Sequence, residues 1–586
     1  MSFELKQHPN RELTGGDLLA QTLKRIGTEV AFGVHGGHLD AFLVGCEHSG
    51  VRLVDTRHET VAVQAAEGYA KVSGKLGVCF VTANSGFGNG LPGLATAFAD
   101  RSPIFCVTSS PPLRDLENNS LQAFLDQVVV AKPITKFAHR VTHGEEIPRL
   151  VNHAVRIALG GAPGPVLIDF PIDVLFTPIQ AKLISWGAIT SQPVFKPGPS
   201  TAAVQEAVKL LKTSQRPVII TGTGVGSSEV SEKLLVLASE ANIPIFQSPK
   251  FSPLPASHPN VAGLAVLLPL ASPKPDLVVL LGCRTGMFLG LRSGAIIPDS
   301  AKIIHVDIDG TEPGRTLPTA LSITSSSCEF LSALQPALHA ESYRAPDAWL
   351  RTATSLQKIP SPHEDEPDYP TPSRMHPHKA LSTLFRSLPP DSIIISDGGE
   401  AGAWSFGLQH LAKPSLHMIP TGYLGFLGNG FGYSLGAAIA KPGCLVINVQ
   451  GDGSAGFHFM ELDTYARSGV RVCTVVVNNS VWGMSAHGQE LVYGEKDAAR
   501  PASALKDVKW AMVAEGLGVR SIRVEKLDDV EAMTREVLGG EGPSCVDLRV
   551  SSRPIHPGTT AMVGMTDDPN MVVVPYYDNV PRATYK

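Results

Sequence analysis

Short, almost unbroken apolar runs, each separated from the next by enough chain for a helix, recur along nearly all of this 586-residue sequence. Runs of that kind fit strands buried on both faces, and parallel strands require long crossover connections. The chain is therefore restricted to α/β layers, and its length calls for more than one core. In the first block, strands are expected at residues 30–34, 52–56, 77–82, 104–108 and 166–170. The second has them at 217–221, 243–247, 276–281 and 302–307, and the third at 392–396, 417–419, 444–449, 472–477 and 545–550. Two proline-rich stretches, 192–200 and 359–378, divide the blocks. The expected fold class is α/β, with three doubly wound parallel-sheet domains. The expected bounds are 1–190, 201–342 and 377–553, with a linker at 343–376 and a tail or lid at 554–586.

Composition narrows the function classes. A formal net charge of −5 with no basic cluster argues against nucleic acid. The longest apolar stretch, 261–270, is interrupted by Pro269 and is too short for a membrane span. The eight cysteines lack metal-ligand spacing, and most of them, such as Cys79, Cys106 and Cys473, sit in apolar strand runs and read as buried thiols of a reducing compartment. Residues 1–13 are polar, and Thr584-Tyr585-Lys586 is not a peroxisomal signal, so a cytoplasmic protein is expected.

In the third block a strand ends at Gly451-Asp452-Gly453, a helix is expected over about 458–468, and the next strand runs into Asn478-Asn479. Such a unit places Asp452 and Asn479 at the carboxyl ends of parallel strands, where open α/β sheets bind ligands. A carboxylate with an amide oxygen suits Mg²⁺. Gly451, Gly453, Ser454 and Ala455 leave backbone N–H groups open to an anion. Gly-Asp-Gly alone is a common tight turn; the Asn-Asn pair, poor strand chemistry unless it coordinates something, gives the turn its meaning. The stretch resembles the thiamine-diphosphate fingerprint. That resemblance implies a Mg²⁺ held by Asp452, Asn479 and the main-chain carbonyl of Val481, anchoring the cofactor's diphosphate.

A cofactor of this kind needs a buried carboxyl that protonates its aminopyrimidine. Glu59, which follows a strand and opens a helix, fits. Residues 57–60 and 67–70 resemble the acetolactate-synthase-like superfamily of thiamine-diphosphate enzymes, and the similarity spans nearly the whole chain. It implies a pyrimidine-binding, a middle and a diphosphate-binding domain in that order. It also implies a homo-oligomer, a dimer at least and a tetramer by expectation, with active sites between subunits. The glycine-rich turn 218–226 in the middle block is a partial dinucleotide pattern, equally required by any doubly wound domain.

Several stretches are most similar to the benzaldehyde lyases: His35-Gly36-Gly37-His38, then 113–115, 121–123, 126–127 and 133–141. Carried over, His38 faces the reacting carbonyl, Gln122 bonds the developing alkoxide and Gly37 leaves room beside the thiazolium. Leu427 bends the cofactor, and Gly422 contacts the aminopyrimidine. Asn118-Asn119 replaces the His-His pair of the pyruvate decarboxylases. The 483–489 stretch lacks the acetolactate-synthase tryptophan, and 282–287 lacks the flavin-contacting run, so FAD is not expected. The benzaldehyde-lyase pocket is altered at Ile172, Gly402 and Met484. The implied activity makes or cleaves 2-hydroxy ketones from aldehydes or 2-oxo acids. The alternatives are an acetolactate-synthase-type transferase on pyruvate and a 2-hydroxyacyl-CoA lyase.

Overall fold

The computed structural model describes residues 13–582 except 116, 117, 119, 124, 191–195, 367, 368, 371, 372, 495–501, 565, 567, 575, 576 and 578. Asn119, residues 1–12, part of the first proline-rich stretch and the terminal tripeptide thus lie outside the described residues.

The chain forms two compact units, 1–194 and 195–586. The first holds a six-stranded parallel sheet of β1 (Val30–Gly33), β2 (Arg52–Asp55), β3 (Gly77–Val81), β4 (Ile104–Ser110), β5 (Phe137–Arg140) and β6 (Val166–Pro171). Its order is β2-β1-β3-β4-β6-β5. Every residue of β3, β4 and β6 is buried, so these strands carry no polar alternation. Helix α1 (Glu59–Ser73) starts where His58 accepts the N–H of Thr60 and stops at Gly74, whose φ of 70° is left-handed. Helix α2 (Ser85–Ala99) follows β3.

The second unit holds two sheets. One contains β7 (Pro217–Thr221), β8 (Ile245–Gln247), β10 (Val261–Leu264), β11 (Leu277–Leu281), β12 (Lys302–Asp307) and β13 (Leu321–Thr324), in the order β10-β8-β7-β11-β12-β13, all parallel. The glycines of the 218–226 turn have a packing reason. A Cβ on Gly222 would lie 2.6 Å from Cys283 Cα, and one on Gly224 would lie 2.6 Å from Gly282 Cα.

The other sheet contains β14 (Ile393–Ser396), β15 (Leu416–Met418), β16 (Val446–Gly451), β17 (Val472–Asn478), β18 (Arg520–Val524) and β19 (Ser544–Arg549). Its order is β18-β19-β17-β16-β14-β15, extended by the two-residue β9 (Phe251–Ser252), which pairs antiparallel with β15. A strand from the middle block thus completes the third sheet. The three α/β domains expected from the sequence are present.

Helix α3 (Gly399–Phe406) follows β14, α4 (Asn429–Ala440) precedes β16, α5 (Asp452–His458) follows β16, α6 (Gly483–Tyr493) follows β17, and α7 (Pro557–Val563) lies in the tail. The described residues of the 359–378 stretch are tied to α3. His363, His376, His378 and His556 surround the Trp404 indole, with ring centroids 5.0, 5.4, 6.2 and 4.5 Å away. His376 Nδ1 accepts the N–H of His378, so its proton sits on Nε2 and is given to Glu366 at 3.0 Å. The other oxygen of Glu366 lies 2.6 Å from His363 Nδ1. This hydrogen-bonded clip holds the connector down.

Candidate active site

In the second unit, the carboxyl ends of β14, β16 and β17 lie side by side. They carry Asp397-Gly398-Gly399, Gly451-Asp452-Gly453 and Asn478-Asn479. The loops approach so closely that glycine is obligatory. A Cβ on Gly398 would lie 2.5 Å from Ser454 Oγ and 2.7 Å from Gly451 N, and one on Gly453 would lie 2.5 Å from the Trp482 ring. Asp452 is buried, and its Oδ2 accepts the N–H of Ser480 at 2.8 Å. Burial drives its pKa up to about 7 against that hydrogen bond and the more distant charge of Arg549. A carboxylate so poorly compensated is what a divalent cation would stabilise.

One expectation needs correction here. The helix after the Gly-Asp-Gly turn does not wait until residue 458: α5 begins at Asp452 itself, and a second helix runs Glu461–Ser468. The two asparagines have different tasks. Asn478 is fully buried; its amide donates to Asp547 Oδ1 and Val508 O at 2.9 and 3.0 Å, and its Oδ1 accepts from Arg549 at 2.6 Å. It ties β17 to β19. Asn479 is half-buried, its Oδ1 accepting the N–H of Val481 at 3.1 Å. Ser480 between them has φ 61°, a costly conformation for serine that turns the chain past Asp452.

Sequence reasoning missed Asp397. It is fully buried, accepts from Gly398 N, Gly430 N and Gln450 Nε2, and burial raises its pKa to about 6. Its position after an apolar strand and before two glycines repeats the pattern that drew attention to Asp452. The loop 421–428 carries Gly422, buried at φ 60°, and half-buried Leu427; Asn429 closes it by donating to Pro420 O at 3.0 Å. Met484 packs on Gly399, where a Cβ would lie 3.3 Å from Met484 Cβ, and Gly402 is buried one turn further along α3.

In the first unit, Glu59, Gln122 and the turn carrying His38 gather near the carboxyl ends of β1, β2 and β3. Glu59 Oε2 accepts from Asn89 Nδ2 at 3.0 Å, and a Cβ on Gly86 would lie 3.2 Å from Glu59 Oε1. Gln122 Nε2 donates to Ser85 Oγ at 3.0 Å, while Asn84 holds the Gln122 and Ala123 carbonyls through its amide. Asn84 (φ 47°) and Gln122 (φ 60°) both have positive φ, and buried Gln127 accepts the Asn84 N–H at 2.8 Å. Gly36 packs on Thr82, Gly37 is exposed, and His38 is half-buried with its pKa lowered by that burial. Glu59 departs from expectation: it is half-buried at the rim of the sheet rather than enclosed by apolar side chains. Ile172 opens the short helix after β6 and is half-buried.

Three family models match in the order of the three sheets. They describe the N-terminal TPP binding domain of thiamine pyrophosphate enzymes at residues 13–130, the central domain at 204–334 and the C-terminal TPP binding domain at 397–548. The probable acetolactate synthase large subunit of Methanocaldococcus jannaschii is 30% identical over 550 residues, 92% of each chain. The chain belongs to the thiamine pyrophosphate enzymes. Within that family, the acetolactate synthase large subunit of Lactococcus lactis subsp. lactis is 28% identical over 89% of this chain and 91% of its own. The isozyme 1 large subunit of Escherichia coli is 27% identical over 94% and 98%. The donor set of this thiamine pyrophosphate enzyme fits its cofactor: the buried Asp452 calls for a cation, and the turns at Gly398 and Gly453 are closed to any side chain.

Proposed function

We propose that this protein is a thiamine-diphosphate- and Mg²⁺-dependent carboligase or lyase that makes or cleaves 2-hydroxy ketones from aldehydes or 2-oxo acids. The observation that carries the reading is the buried Asp452 carboxylate at the end of β16, next to Asn479 at the end of β17. Asp452, Asn479 and the Val481 carbonyl would hold Mg²⁺, and through it the diphosphate. When bound, the cofactor supplies a nucleophilic carbon and an electron sink for the carbon–carbon bond change.

The remaining work falls to side chains of this chain. Glu59 would exchange a proton with the aminopyrimidine nitrogen, with Asn89 keeping one carboxyl oxygen in place. Gln122, fixed through Ser85 and Asn84, donates its amide to the oxygen of the reacting carbonyl. His38 is kept neutral by burial and can take or give a proton at that oxygen. Gly422 would meet the aminopyrimidine ring through its backbone, and Leu427 would bend the cofactor. Gly37 would leave space for the reacting carbonyl, with Ile172, Gly402 and Met484 lining the pocket. We place the Glu59 half and the Asp452 half of each site on different copies of the chain in a homo-oligomer.

A second reading, an acetolactate-synthase-type transferase acting on pyruvate, draws support from the names of relatives that match over nine-tenths of the chain. Product analysis separates the two. Pyruvate alone, pyruvate with an aldehyde, and an aldehyde alone are incubated with protein, thiamine diphosphate and Mg²⁺. A 2-hydroxy ketone from the aldehyde-containing mixtures is the expected result. Acetolactate from pyruvate alone, with no other product, would replace the first reading by the second.

A further inference from the structure

Glu400 and His487 form a buried acid–imidazole pair to which the reading above assigns no task. Glu400 is the second residue of α3; His487 lies one turn past Met484 in α6, and both are more than nine-tenths buried. His487 Nδ1 lies 2.6 Å from Glu400 Oε2, and Nε2 lies 2.8 Å from the Ser552 carbonyl oxygen. The other carboxyl oxygen, Oε1, accepts the Thr559 hydroxyl at 2.7 Å and the His556 N–H at 3.3 Å.

The protons can be counted. A carbonyl oxygen only accepts, so Nε2 must carry a hydrogen toward Ser552. A neutral imidazole has a single N–H, which would leave Nδ1 bare against a carboxylate oxygen. A separation of 2.6 Å between two lone pairs is repulsive; it becomes a hydrogen bond only with a further proton between Nδ1 and Oε2. The pair therefore holds one proton more than a carboxylate and a neutral imidazole would, whichever partner carries it.

We infer that Glu400 and His487 are positioning residues whose shared proton locks α6, and with it Met484, against α3 and straps the 552–559 segment to both helices. The part of this that concerns substrate rests on the proposed role of Met484 as a pocket wall. Around the pair stand His556 of α7, the connector residues His363, Glu366, His376 and His378 grouped with it about Trp404, Arg553 beside Ser552, and Glu490 in the next turn of α6. A carboxyl oxygen that accepts from the tail while its twin binds α6 couples the two attachments, so losing the proton weakens both.

Amide hydrogen exchange on the full-length chain, without cofactor or substrate, tests this. In His487→Leu, protection of residues 552–563 should fall roughly tenfold or more, the scale of one lost charge-assisted hydrogen bond. Glu400→Gln should behave differently. Its Oε1 still accepts from Thr559 and His556 while its amide donates to a neutral His487, so every bond survives with one proton fewer. Its protection should match the wild type at neutral pH and hold as the pH is raised, whereas the wild type loses protection once the extra proton is removed. With substrate, His487→Leu should raise KM more than it lowers kcat, whereas Glu400→Gln keeps KM near the wild-type value. Unchanged protection in His487→Leu, or wild type and Glu400→Gln responding alike to pH, overturns the inference; the second comparison stands even if His487→Leu does not fold. Absence of turnover in all three proteins would count against the proposed reaction and leave the exchange result in force.

Discussion

Replacing Gly398 by alanine should damage the fold and the cofactor site together. The residue has φ 83° and ψ 102°, a region open to glycine, and holding alanine there costs about 1–3 kcal/mol. The added methyl would lie 2.5 Å from Ser454 Oγ and 2.7 Å from Gly451 N, a backbone atom that cannot rotate away. Forcing the ends of β14 and β16 apart adds about 1–3 kcal/mol of overpacking. The combined loss, about 4 kcal/mol, is a large fraction of a typical stability. Gly443→Ala provides the control: its φ is 80°, but nothing lies within 4 Å of the new methyl, so it bears the backbone cost alone. Urea unfolding followed by circular dichroism measures the difference, and calorimetric titration with thiamine diphosphate and Mg²⁺ measures affinity. The reasoning is refuted if Gly398→Ala loses no more stability than Gly443→Ala, or binds the cofactor as tightly as the wild type.

Other outcomes follow from individual groups. His417 is fully buried in β15 and its pKa is lowered to about 3 by burial; its neutral form stabilises the fold above the unfolded value near 6.5, and that stability is lost as pH falls toward 3. Between pH 7 and pH 5 the wild type should lose about 2 kcal/mol more than His417→Gln, read from urea midpoints. Asp452, raised to about 7, works in the opposite sense: without metal it costs stability progressively as pH rises from about 4 to 7. Melting curves of Asp452→Asn should show that loss removed, along with the stabilisation that Mg²⁺ and thiamine diphosphate give the wild type. Asn84→Gly keeps the positive-φ backbone but frees the Gln122 and Ala123 carbonyls, so turnover should fall about tenfold or more while the melting temperature moves little.

Buried parallel strands were legible because both of their faces are apolar. Residues 217–221 and 302–307 form strands with the bounds read from sequence. The strands that escaped lie at sheet edges or are very short. Phe137–Arg140 and Arg520–Val524 are interrupted by polar and charged residues, and Phe251–Ser252 has too few residues to show a period. Glu59 and Asp452 could be picked out because a carboxylate at a strand end beside a helix start has local sequence marks. The task of Asn478 could not, since Arg549 and Asp547 reach it from β19, a neighbouring strand distant in sequence. The Glu400–His487 pair likewise depends on a tail carbonyl remote in sequence. Long-range polar closure leaves no periodic trace.

Glu59→Gln tests the central claim most directly. Purified wild type and variant are titrated with thiamine diphosphate in Mg²⁺, and turnover is then measured on the carbonyl substrate that the product analysis identifies. The account predicts equal cofactor uptake and a loss of turnover of about 10²–10⁴-fold in the variant. A variant that turns over at the wild-type rate, or a wild type that takes up no thiamine diphosphate, would contradict it.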